Sequence, residues 1–216
     1  MIILRVEVPV ACFRQSRARE YLETYLVPPP STVYGMLLSL IGETNRYLHC
    51  GVRLAIALTK LPEKSTVLRT VHRFKRRTAD PSNIRPDYQE ILTGVDFFVW
   101  INSDLETANP DLSSRLHQAF DNPSLITRFG GLSLGESRDL VNSIAFVNTE
   151  AVEKYNTLYW LVKRENGQFI LPHWVNHLGQ HGTFWKRYNL QQLKQISPSS
   201  SNWIEIISCE QYNEHQ

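Results

Sequence analysis

Residues 27–43, VPPPSTVYGMLLSLIGE, decide the fold that this sequence predicts. Three consecutive prolines fix an extended approach, since each locks φ and biases the preceding residue away from helix. Ser31 or Thr32 is expected to cap a helix that follows, and Gly42 is expected to close or bend it. One apolar face is predicted from residues at three- and four-residue steps: Val33, Met36, Leu37, Leu40 and Ile41.

We expect the first turn of this helix to reach the surface. A helix N-terminus at the surface carries unsatisfied N–H donors and positive potential, so it can seat a phosphate. The alternative is a well-capped core helix with no ligand.

The size and composition of the chain are those of a globular protein. Its 216 residues, 42% hydrophobic, suffice for one large domain, or for a domain with a smaller appendage. The longest apolar runs are too short to cross a bilayer, so we expect a soluble cytoplasmic protein. Cys12, Cys50 and Cys209 form neither a disulfide framework nor a zinc pattern, and each is predicted to be a small buried hydrophobe.

Charge is unevenly distributed, although the net charge is only +2. Residues 1–79 hold 13 Lys/Arg and 5 Asp/Glu, whereas residues 80–150 hold 4 and 11. A basic first third favours a polyanionic partner. The acidic middle argues against a surface wholly covered by nucleic acid and suits a partner protein or a solvated face.

Alternation and apolar runs predict a series of strands separated by one further helix. The run VDFFVWI at 95–101 is apolar enough to be a central strand. Pro9 is expected to end the first strand or to place it at an edge, and 197–202 to be a flexible connector. The predicted strands are 2–10, 52–58, 87–92, 95–101, 140–147, 158–163, 168–171 and 203–208, and the helix is 110–120.

Two stretches are strongly basic. The loop 12–20 contains Arg14, Arg17 and Arg19, and is either a solvated loop or a nucleic-acid contact. Residues 67–93 are predicted to form a long, exposed, hairpin-like excursion. Its cations would hold phosphates, while Phe74 or Tyr88 could stack on bases. RNA contact is favoured over a solvated edge strand defended by charge.

The glycine-rich stretch 128–138, RFGGLSLGESR, permits close backbone approaches and could hold a phosphate backbone through N–H groups. It is no Walker loop, since the GK[ST] ending is absent, and its spacing is not that of a dinucleotide fingerprint.

His173, His177 and His181 fall at four-residue steps. On a continuous helix, three imidazoles could bind zinc. Gly179 and Gly182 weaken such a helix, and no nearby carboxylate or cysteine completes the set. We therefore expect surface or interface histidines, and no metal or cofactor.

The predicted order of elements fits an α+β, ferredoxin-like β-α-β-β-α-β domain. The opening strand, residues 27–43 and the loop GGLSLGESR resemble the fifth CRISPR-associated (Cas) protein family. These proteins are repeat-associated RNA-binding subunits of type I Cascade complexes, in the RAMP superfamily. The resemblance covers about residues 1–150. It looks closest to type I-B members, including those serving RNA-guided transposons.

The resemblance implies an RNA-recognition-type domain over 1–150 with a protruding basic thumb hairpin at 67–93. A small β-rich C-terminal extension, 151–216, would complete the fold. Such a subunit caps the Cascade backbone and binds the five-prime handle of the CRISPR RNA. It contacts the adjacent backbone subunit and the large subunit, meets target DNA indirectly, and has no membrane partner.

Carried over to this chain, the resemblance implies contacts from four places. Ser31 and Thr32 would face handle phosphates, with Tyr34 beside them, and Arg14 and Arg17 would add phosphate contacts. Gly130, Gly131, Gly135 and Arg138 would line the handle groove. The thumb would contribute Arg69, His72, Arg73, Phe74, Lys75, Arg76 and Arg77.

Family members of type I-C systems also cleave the precursor RNA, which needs acid and base groups in mutual reach. Here His72, Lys75 and Tyr34 are the convenient candidates, and no adjacent Lys-His pair is present. We therefore expect RNA binding without catalysis. The alternative is a metal-independent endoribonuclease, and a protein-docking domain without RNA contact is a third hypothesis.

Overall fold

The computed structural model describes residues 1–19, 21–72, 84–175 and 182–207, with backbone alone at 71, 72, 84 and 85. Its longest element is the strand β5, Ile84–Asn102. Phe97, Val99 and Ile101 pack into one hydrophobic core, and Phe98 and Trp100 into another. Side chains alternate between the faces of a strand, so this run is buried on both faces. The prediction that 95–101 is central is confirmed, but 87–92 belongs to the same strand.

Four strands and two helices follow the predicted β-α-β-β-α-β order. They are β1 (Ile2–Ala11), α1 (Pro30–Leu40), β3 (Arg53–Leu58), β5, α2 (Leu112–Asp121) and β6 (Ser143–Phe146). The strands lie in the order β6-β1-β5-β3, and each neighbour is antiparallel. The α+β prediction is confirmed. The β1–β5 ladder continues past Pro9 to Ala11, so Pro9 does not end the strand. The β1–β6 pairing stops at Glu7, so Pro9 lies where β1 is an edge among the described strands, which is the alternative that was predicted.

The remaining strands attach to both ends of this sheet. β2 (Tyr21–Leu22) and β4 (Glu63–His72) pair with the first half of β5. Beyond β3 the order continues through β7 (Leu158–Lys163), β9 (Thr183–Leu193) and β8 (Phe169–Val175), and β10 (Ile204–Glu205) also pairs with β3. β9 was not predicted from the sequence. A 3-10 turn at Ser200–Asn202 replaces the predicted flexible connector, because buried Asn202 accepts from the Ser199 amide at 2.9 Å.

Each face of the sheet carries its own core. The larger core lies under α1 and α2, and the smaller lies under α3 (Thr149–Glu153), where Trp100 stacks on Trp160 with ring centroids 4.6 Å apart. Cys12 and Cys50 are buried, as predicted, while Cys209 lies outside the described residues. In the described ranges, no helix is long and apolar enough to span a membrane.

Helix α1 ends as the sequence predicts. Gly42 adopts φ +69°, its amide donates to Ser39 at 3.1 Å, and the Glu43 amide donates to the Leu38 carbonyl at 2.9 Å. This is a Schellman motif, whose left-handed position favours glycine. A Cβ on Gly42 would also lie 2.6 Å from the Thr127 carbonyl oxygen. The end of α1 is therefore packed against the segment that precedes the glycine-rich stretch.

We expect Gly42→Ala to destabilise the protein more than Gly130→Ala does. Both residues have positive φ, but a Cβ on Gly130 meets nothing within 4 Å. Gly130→Ala should cost about 1 kcal/mol from backbone strain alone, and Gly42→Ala at least about 1 kcal/mol more from the contact with Thr127. Urea unfolding measures both free energies, and equal losses would contradict the packing described.

Candidate nucleic-acid interface

The first turn of α1 is buried, so the prediction that it reaches the surface is wrong. Pro29 occupies the N-cap position without a side-chain cap, and the Ser31 hydroxyl instead donates to the Pro172 carbonyl of β8 at 2.9 Å. Thr32 is half-buried. Because β8 lies over this turn, neither Ser31 nor Thr32 caps the helix, and the Ser31 hydroxyl is not free to meet a phosphate.

Tyr34 is also inaccessible. Its side chain is fully buried, its hydroxyl donates to the Arg46 carbonyl at 2.8 Å, and burial raises its pKa. A buried phenol whose hydroxyl already donates a hydrogen bond to the backbone cannot contact RNA or take part in acid–base chemistry. The expectation of Tyr34 as an RNA contact, or as a catalytic candidate, is therefore wrong for this structure.

The described part of the basic stretch 67–93 lies in the antiparallel ladder of β4 with the first half of β5, here called the ribbon, and β2 pairs with β5 at Tyr88 and Gln89. β4 and β5 pair antiparallel from Glu63 opposite Thr93 to His72 opposite Ile84. Arg69 is half-buried on this ribbon. Arg73, Phe74, Lys75, Arg76 and Arg77 lie outside the described residues, as does the side chain of His72.

Glu90 ties the base of the ribbon to the basic loop. Its carboxylate accepts from Lys64 Nζ at 2.7 Å and from the Thr24 amide at 3.0 Å. Thr24 also forms an isolated antiparallel β-bridge with Arg14, through their backbones. Glu90 was not identified from the sequence, because the burial of its side chain depends on contacts with residues distant in the chain. The link places the basic loop at the foot of the ribbon.

Exposed cations and aromatic rings surround this junction. Arg14 and Arg17 are both exposed. Arg17 borders a cleft of about 490 Å³ together with Tyr25, Phe169 and Trp185. Tyr88, which the sequence singles out for stacking, is 49% exposed, and its ring lies 6.4 Å from that of Tyr21. Guanidinium groups beside open aromatic faces are suited to single-stranded RNA.

The glycine-rich stretch is fastened to the same junction. The buried Asp139 carboxylate accepts from the amides of Cys12 and Glu136, each at 2.8 Å, and burial raises its pKa. Arg138 donates to Gln89 of β5 at 2.6 Å and pairs with Glu136. The predicted groove glycines Gly130, Gly131 and Gly135 are all exposed, and a Cβ on Gly135 would lie 2.8 Å from the Cys12 carbonyl oxygen.

His173 lies in strand β8, not on a helix, and it is buried, so the prediction of a surface histidine is wrong there. Its Nδ1 lies 2.9 Å from the Tyr188 hydroxyl and its Nε2 lies 3.4 Å from Lys186 Nζ. Burial lowers the pKa of His173 to about 3 and that of Lys186 to about 8. These groups resemble an acid–base set, but His173 and Tyr188 are closed to RNA.

His177 and His181 lie outside the described residues. Within the ranges that the structure describes, no group of three or more His, Cys, Asp or Glu side chains is placed to hold a metal ion.

Two comparisons with known proteins point to the same family, and a third shows a shared fold. The family model described as CRISPR-associated protein (Cas_Cas5) matches residues 1–130. A Myxococcus xanthus (strain DK1622) protein named CRISPR-associated protein Cas5 is 38% identical over 200 residues, 91% of each chain. One chain of a solved structure, described as a CRISPR RNA-guided surveillance complex, superposes with a TM-score of 0.60 at 11% identity, covering 93% of this chain and 95% of that one. At that identity, the superposition shows a shared fold alone.

We expect His173 to make stability fall in acid. Its lowered pKa keeps the folded-state imidazole neutral, while the unfolded-state imidazole takes up a proton below about pH 6.5. The contribution of His173 to the free energy of unfolding should therefore be fully present above pH 6.5. It should decline towards pH 3, by up to about 1.4 kcal/mol per pH unit. Denaturant unfolding across this range should show a shallower decline for His173→Gln. His117→Gln, at an exposed histidine, is the control, and an unchanged slope in His173→Gln would contradict the burial.

Proposed function

Because the chain belongs to the Cas5 family of CRISPR-associated proteins, we propose that it is a non-catalytic, RNA-binding subunit of a CRISPR RNA-guided surveillance complex. In this proposal it binds the five-prime handle of the CRISPR RNA and caps the backbone of a type I complex. The ribbon 67–93 would act as a thumb beside the adjacent backbone subunit, and the chain would also contact the large subunit.

The observation that carries the RNA-binding proposal is the junction held by Glu90. It connects the exposed arginines of the loop 12–20 to the foot of the ribbon, while Arg138 fastens the glycine-rich stretch to the same strand. Cations and open aromatic rings thus occupy neighbouring elements. Phosphate contacts from such groups supply affinity without sequence information, which suits a handle held by its backbone.

The absence of catalysis is proposed on two grounds. Tyr34 is buried with its hydroxyl engaged, and the buried pair His173 and Tyr188 is closed to a substrate. Assignment to type I-B, or to a transposon-associated complex, is proposed on the overall pattern of the sequence alone.

Substituting Arg73, Arg76 and Arg77 together with alanine should weaken binding of a labelled CRISPR repeat RNA. If each arginine contacts one phosphate, the slope of log affinity against log salt should fall by about 2. Fluorescence anisotropy in EDTA measures affinity, and a denaturing gel of the same mixture detects cleavage.

The control removes three exposed cations elsewhere, in the variant Lys154→Ala/Arg164→Ala/Lys194→Ala, and should retain the wild-type slope. Wild-type protein should bind without cutting. An unchanged slope in the arginine variant would contradict the thumb assignment, and cleavage at one site in EDTA would make the protein a processing endoribonuclease.

A further inference from the structure

A second cleft, of about 570 Å³, lies between the outer side of α1 and the residues that begin the glycine-rich stretch. Gly35 and Ser39 of the helix form one wall together with Arg46, and Arg128 and Phe129 form the other. The two stretches that dominate the sequence therefore meet here, at the end of α1 opposite its buried first turn. None of these side chains was expected to bind RNA.

Arg46 is a cation held partly out of water without a counter-charge. Its Nε is buried and has no hydrogen-bond partner in the described part of the chain. Its guanidinium lies 5.6 Å from the centre of the Trp174 ring, and burial lowers its pKa. Among the described residues, no carboxylate forms an ion pair with it. Such an arrangement is unfavourable unless an anion approaches, so it points to an anionic ligand.

The acidic group of the cleft is already neutralised. Glu43 is the one carboxylate among the described residues that line the cleft. Its Oε2 lies 2.5 Å from Arg115 Nη1, and its Oε1 accepts from the Asn45 amide at 2.7 Å. Arg46 and Arg128 therefore leave the cleft with excess positive charge.

Phe129 supplies an aromatic ring whose faces are exposed to solvent. Its side chain is fully exposed, and a Cβ on the following residue, Gly130, would meet nothing within 4 Å. A large apolar ring left in water marks an interaction surface. A nucleobase stacked on that ring would bury it, and every base has a face that can stack.

We propose that this cleft binds one unstacked nucleotide of single-stranded RNA. Arg46 and Arg128 contact its phosphate, and Phe129 stacks on its base. The inference rests on the proposed RNA-binding function and adds a subsite to it. Stacking and phosphate contacts are tolerant of sequence, so this subsite contributes affinity and does not select a base.

The test measures binding of labelled CRISPR repeat RNA to the purified full chain. Phe129→Ala should weaken binding about 5- to 150-fold, with an unchanged unfolding midpoint because the ring is fully exposed. Phe129→Trp should keep the affinity, since it retains a stacking face. Arg128→Gln should lower the salt slope by about 0.7, the loss of one single-strand phosphate contact. Leu125→Ala, at an exposed apolar residue that does not line the cleft, is the control and should bind as wild type.

Two results separate the subsite from the function on which it rests. If the wild type binds RNA and Phe129→Ala binds equally well, the subsite is wrong and the proposed function stands. If the wild type binds no RNA, both are wrong. Loss of association with other subunits of the complex, at unchanged RNA affinity in Phe129→Ala, would make the cleft a protein-docking site and overturn the inference.

Discussion

Strand β5 is the constraint on which the rest of the structure depends, because one half of it lies in the centre of the sheet and the other half forms the ribbon with β4. Residues 97–101 alternate between two hydrophobic cores and are buried on both faces. Residues 84–93 of the same strand lie beyond the part that pairs with β3, and they pair with β4. A one-residue shift in the register of a strand sends every side chain to the opposite face. The two cores therefore fix the position of the ribbon, and with it the basic groups that the ribbon carries.

The candidate RNA surface is assembled from elements that are distant in sequence. Glu90 joins the basic loop to the ribbon, and Arg138 joins the glycine-rich stretch to β5. At the far end of α1, Gly42 packs against Thr127 and brings the helix beside Phe129. Each link is a buried or half-buried polar contact or a close backbone approach, so the surface is held by the fold itself.

Structural features that depend on the local spacing of residues can be predicted from the sequence. The β-α-β-β-α-β order, the central strand 95–101 and the end of α1 at Gly42 all follow from periodicity or from a single backbone requirement. The sequence does not predict contacts that long-range packing decides. Ser31 is covered by β8, because its hydroxyl donates to the carbonyl of Pro172, which is distant in the sequence. His173 contacts Tyr188 in β9, a strand that was not predicted because its composition is mixed and largely polar. Arg46 lies in a turn with no periodic signal, whereas the Arg128-Phe129 pair before two glycines could have been noticed.

The most direct test of the account is photo-crosslinking within the assembled complex. CRISPR RNA carrying 4-thiouridine in its five-prime handle would be irradiated, and the crosslinked peptides of this chain identified by mass spectrometry. The account predicts crosslinks within residues 12–25, 67–93 and 128–138. Crosslinks confined to 149–163, on the side of α3 and β7, or no crosslinks to this chain at all, would contradict it.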